Sequence, residues 1–131
     1  MDEPGEYTLE FLLTFDGRIH WLEQGHSLRF AIKRVVPTPS CPHGLSYSFT
    51  LHGPNGKRLI GFDNAHRVPA AGGRFKKRSR AADHWHRTET DKGRPYVFVS
   101  ADQLLDDFFR EVRRVLDERG LSDNVVRVED R

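Results

Sequence analysis

Two short stretches of this sequence gather side chains that can move protons: Asp63-Asn64-Ala65-His66 and Asp83-His84-Trp85-His86-Arg87. Imidazole is the one side chain whose ordinary pKa lies near neutrality, so two or three of them can supply a base and an acid together. In an extended chain His84 and His86 share a face, and Trp85 turns to the other. A carboxylate at Asp63 or Asp83 would orient an imidazole by accepting its second N–H. Between the two stretches lie Arg74, Lys76, Lys77, Arg78 and Arg80, cations that suit a polyanionic backbone. The expected catalytic set is therefore Asp63, His66, Asp83, His84, His86 and Arg87. Asp63, His66, His84 and His86 are also ligand types for zinc or manganese with a position left for water. A metal-dependent nuclease or phosphotransfer enzyme is thus an alternative on the same residues.

Plainer roles stand beside these. Asp63 and Asn64 are turn formers whose side chains bond their own backbone. Trp85 fits a core or lid position. His20, His26, His43 and His52 are scattered over strands and loops and read as ordinary residues. Cys41 and His43 are two positions apart in a Pro-rich loop, but adjacency in sequence is not the geometry of a nucleophile and its base.

Charge is distributed unevenly. Residues 67–94 hold nine basic and three acidic side chains, a balance of +6, which leaves −4 on the rest of a chain whose net charge is +2. That asymmetry points to a local anionic partner. The 131 residues fit one domain, 1–131, with 67–94 expected as a basic, mobile loop inside it. With 37% hydrophobic and 31% charged residues the chain is polar but foldable. A single cysteine excludes an internal disulfide and a Cys-rich zinc site. No apolar run approaches the ~20 residues that span a bilayer. The acidic start MDEPGEYTLE lacks the features of a signal peptide, so a cytoplasmic protein is expected.

The elements that must position these residues read mostly as strands. Tyr7, Leu9, Phe11, Leu13 and Phe15 alternate with polar neighbours, which predicts a strand turning at Asp16-Gly17 into Arg18–Glu23. Leu28, Phe30 and Ile32 predict another. Leu45, Tyr47, Phe49 and Leu51 alternate with Ser46, Ser48 and Thr50, and Gly53-Pro54-Asn55-Gly56 turns that strand into Lys57–Phe62. Ser100 and Gln103 open an amphipathic helix over about 101–119, with Gly120 closing it. Tyr96–Val99 and Asn124–Val128 are further candidate strands. The expected fold is α+β: an antiparallel sheet of about five or six strands with one long C-terminal helix packed on one face.

The run GLSYSFTLHGPNGKRLIGFDNAH at 44–66, with Asp83–Arg87 and Leu104–Gly120, resembles the TumE family of bacterial toxin–antitoxin proteins. The sharpest part is Asp63-Asn64-Ala65-His66 after a Tyr-bearing hairpin. Only His66 stands where the family carries paired His. The resemblance implies a small toxin silenced by an antitoxin partner, commonly one with a helix-turn-helix domain. Taken with the residues, the expectation is a cytoplasmic toxin acting on RNA as a small endoribonuclease. RNA carries its own 2′-OH nucleophile, so histidine acid/base chemistry would suffice without a metal. A non-catalytic nucleic-acid- or partner-binding module is the remaining alternative.

Overall fold

Alternation of apolar and polar side chains buries one face of an extended segment, and the middle of this chain uses that pattern three times over. The computed structural model describes residues 4–39, 41–64, 83–86 and 93–130. Helix α1 (Pro4–Leu13) leads into β1 (Arg18–Leu22) and β2 (Ser27–Arg34). A Pro-rich connection joins β2 to β3 (Leu45–His52), and a tight turn joins β3 to β4 (Arg58–Asp63). Two short strands, β5 (His84–His86) and β6 (Arg94–Pro95), precede α2 (Ala101–Glu118) and β7 (Val125–Asp130). Among the described residues these seven strands form one sheet in the order β6-β5-β4-β3-β2-β1-β7. Every pairing is antiparallel.

The fold is α+β, as expected, with more strands than anticipated and a second helix. Leu28, Phe30 and Ile32 of β2 face Leu51, Phe49 and Tyr47 of β3, and Phe49 faces Phe62 of β4. These side chains, with Leu12 and Phe15 from α1 and its exit, pack on Leu104, Phe108, Val112 and Leu116 of α2 in one core. Phe30, Phe49 and Phe62 each meet Phe108, at centroid distances of 5.7, 5.6 and 6.0 Å. Both helices therefore cover one face of the sheet, and the other carries mainly polar side chains together with Ile19 and Trp21 of β1.

The strand expected over Tyr7–Phe15 is α1 instead. Leu9 and Leu13 fit strand alternation, but Leu12 falls on the opposite strand face, and only helical spacing (9, 12, 13) groups all three. Pro4 opens the helix where a missing N–H costs nothing. The place beside β1 that such a strand would take is filled by β7. Asp16-Gly17 is accordingly a helix-to-strand junction and not a hairpin turn. Gly17 has φ +81° and its N–H donates to Phe30 O. Asp16 accepts from Ile32 N at 3.0 Å and Lys33 Nζ at 2.8 Å. The Lys33 bond and the Ile32 bond hold its carboxyl below the ordinary carboxylate range.

Helix α2 starts at Ser100, whose Oγ accepts from Gln103 N at 3.0 Å, while the Gln103 amide reaches forward to Asp107 at 2.8 Å and leaves the capping box half made. It ends in a Schellman motif: Gly120 (φ +68°) donates to Asp117 O and Leu121 donates to Leu116 O. Tyr96–Val99 is not a strand, and the strand expected at Asn124–Val128 is present as β7, Val125–Asp130.

Candidate functional site

Strand β5 is only three residues long, and its neighbours fix where its side chains point. Asp63 lies opposite His84, Phe62 opposite Trp85, and Gly61 opposite His86. Phe62 belongs to the core, so Trp85 turns to the helix side, where it stacks on Phe62 at 5.6 Å. The Arg94 guanidinium sits 4.9 Å from the Trp85 ring centre. By alternation, Asp63, His84 and His86 share the opposite, helix-free face. The His86 Nε2 lies 3.4 Å from Asp63 Oδ2, and the two imidazoles are 6.4 Å apart. Gly93 (φ +102°) passes so close to His86 that a Cβ there would collide with the ring. Asp63 and Gly93 both border that imidazole.

Asp83 does not join this row. It is buried on the other side of the strand, where its carboxylate accepts from the Tyr47 hydroxyl at 2.6 Å and from His43 Nε2 at 3.0 Å. His43 Nδ1 accepts from Leu45 N at 3.1 Å, which places the ring proton on Nε2, facing Asp83. The Phe98 ring packs against His43 with centroids 4.0 Å apart, tilted by 33°. Burial and the Asp83 bond push the Tyr47 hydroxyl well above its ordinary pKa, so it stays a donor. Burial and a bond to Asp107 do the same for Tyr96, whose backbone N–H also donates to Asp83 O. Asn64 completes this buried network: its side-chain oxygen accepts from Tyr47 N at 2.9 Å, and its amide donates to Leu45 O and to Cys41 Sγ at 3.6 Å.

Of the residues expected to do chemistry, Asp63, His84 and His86 come together, while Asp83 is across the sheet holding His43. His66, Arg87, Arg74, Lys76, Lys77, Arg78 and Arg80 lie outside the described residues. Most of the expected basic loop, 67–94, does too, apart from Asp83, β5, Gly93 and the start of β6. Among the described residues no group of three or more His, Cys, Asp or Glu side chains converges tightly enough to hold a metal ion. Of the expected metal ligands, only Asp63, His84 and His86 are described.

Sequence reasoning misses His43, Tyr47 and Gly93. Asp83 and His43 are 40 positions apart, and no local spacing signals such a pair. In the sequence Tyr47 is one more inward residue of an alternating strand. Asn64 has the character of a turn former, yet it is buried and bonded to β3 and its approach.

The family model described as Toxin TumE matches residues 5–116, most of the chain. No curated protein and no solved structure matches it. Among the described residues no helix is long and apolar enough to cross a membrane. The chain belongs to the TumE toxin family.

Proposed function

We propose that this member of the TumE toxin family is the toxin component of a toxin–antitoxin system and acts on RNA as a small endoribonuclease. The observation that carries the reading is the row Asp63–His86–His84 on the helix-free face of the sheet. Two imidazoles at that separation can reach one phosphate group. One removes the proton of the ribose 2′-OH as its oxygen attacks phosphorus; the other protonates the departing 5′ oxygen, leaving a cyclic phosphate. Asp63 orients His86, and His66 is a further candidate for the acid or base. Arg87 would stabilise the charge that grows on the phosphoryl oxygens. Arg74, Lys76, Lys77, Arg78 and Arg80 would hold neighbouring phosphates.

Asp83 acts here as a positioning residue. Bound by Tyr47 and His43, it ties the start of β5 to the approach of β3, and so sets His84 and His86 on the helix-free face. The antitoxin, of the helix-turn-helix kind, would silence the toxin in the cytoplasm.

The test is substitution of the two histidines one at a time. His84→Ala and His86→Ala should each abolish growth arrest and RNA cleavage while circular dichroism and the melting temperature stay near those of the parent. Full toxicity in both variants overturns the enzyme reading. A metal-dependent nuclease or phosphotransfer enzyme is the second reading, favoured by carboxylate and imidazole donors sharing one face. It requires metal in the purified protein and inhibition by chelators, whereas the proton-transfer scheme is indifferent to both. A purely binding module would leave RNA intact and lose affinity steeply with salt.

A further inference from the structure

The sheet ends on one side in β7, a six-residue strand paired only with β1 among the described residues, and its outer edge carries an unusual load of exposed apolar side chains. Val125, Val126 and Val128 are 45%, 62% and 49% exposed. Val128 lies opposite His20, which contacts Phe15, and Phe15 contacts Phe11 of α1, itself 45% exposed. An edge strand presents a row of N–H and C=O groups that a further strand can pair, and proteins ordinarily protect such edges with charge, proline or a covering loop. Here the charges are arranged to attract a copy of themselves.

We infer that β7 is a self-association edge, and that two copies of this chain pair antiparallel through it, centred on Val128. The register follows from the sequence VVRVED. A two-fold axis perpendicular to the sheet puts side chains of matching face opposite each other, so a residue must sit at its centre. Centring on Arg127 or on Glu129 sets like charges directly opposite. Centring on Val126 sets Arg127 against Val125 and makes no charge pair. Centring on Val128 places Val128 beside Val128 of the second copy, and each Arg127 opposite the other copy's Glu129. The two residues already attract within one strand, at 3.2 Å. Cross-strand charge pairs of this kind stabilise a ladder, and like charges destabilise it. Val128 would then be covered by its counterpart instead of water, and Val126 would lie opposite Asp130 of the second copy. Strand β7 lies beyond the residues matched by the family model, so the inference is independent of the reaction proposed for His84 and His86.

A six-residue edge is small beside the ~1,600 Å² of a standard interface, so the association should depend on concentration. Light scattering or sedimentation from about 10 μM to about 1 mM should show the mass rising from 15.1 kDa toward twice that value. Arg127→Glu and Glu129→Arg alone should each weaken dimerisation roughly tenfold or more, about 1.4 kcal/mol at tenfold. The double swap should restore it, because opposite charges again face each other. Val128→Lys should give a monomer with unchanged circular dichroism, since β7 contributes nothing to the buried core. A constant mass of 15.1 kDa across the range overturns the inference, as does unimpaired pairing in both single charge variants.

Discussion

Asp83 is a carboxylate buried with two side-chain donors, and its neighbours show what that arrangement costs to disturb. Tyr47→Phe keeps the ring and deletes the 2.6 Å bond, so of the pair only the His43 bond would remain to Asp83. Leaving a buried acceptor short of a partner costs about 1–3 kcal/mol, more for a charged group. The variant should therefore unfold at lower urea, and under the proposed reaction it should lose toxicity in part, because β5 is held less firmly. An unchanged urea midpoint would show that Asp83 does not depend on Tyr47. His84, His86 and Asp63 are legible in the sequence because the types that carry protons are grouped at strand ends. His43 is not, since its importance arises only when a loop before β3 meets the residue just before β5. Proximity created by folding over 40 positions leaves no mark on local spacing.

At the level of elements, the glycine beside His86 makes the sharpest test. Gly93→Ala meets both a strained φ of +102° and the His86 ring, whereas at Gly56, φ +88° in the β3–β4 turn, an added methyl would find open space. Gly56→Ala should cost about 1–2 kcal/mol from backbone strain alone and leave activity intact. Gly93→Ala should displace His86 and, under the proposed reaction, sharply reduce RNA cleavage. Equal activity in the two variants would break the link between Gly93 and the histidine. Ser100→Ala removes the cap of α2 and should cost about 1 kcal/mol, read as a lower melting temperature. The β2, β3, β4 and α2 segments are readable because each carries enough repeats of its own period, bounded by turn or cap residues. Strands β5 and β6, three and two residues long, carry too few. Leu9 and Leu13 of α1 fit a strand, but the buried Leu12 fits only the helical period, and the edge of β1 that a strand would take is held by β7.

The whole molecule should weaken in mild acid. His20, His26 and His52 have pKa values lowered from the ordinary 6.5, each first by burial and then by a nearby guanidinium: Arg18, Arg119 and Arg29 respectively. Burial favours the neutral rings, so the unfolded chain takes up protons first as pH falls. The stability these rings contribute is complete above about pH 6.5 and is lost below it, toward the lowered folded-state values. The urea midpoint should therefore be lower at about pH 5.5 than at about pH 7.5. An equal midpoint at the two values would show that these histidines do not govern acid stability.

The strand order also sets a sequence of assembly. From β1 to β6 each strand lies beside its predecessor in the chain, whereas β1 and β7 join residues as far apart as Arg18 and Asp130, 112 positions. Contacts so distant come at the greatest loop-closure entropy and tend to form late. On a ribosome, the strands bearing His84 and His86, and then α2, emerge before β7. The histidine row can thus be in place while the outer margin of β1, with Ile19 and Trp21, is still bare. Under the proposed reaction, a partner that silences the nascent chain would have to recognise it in that unfinished form.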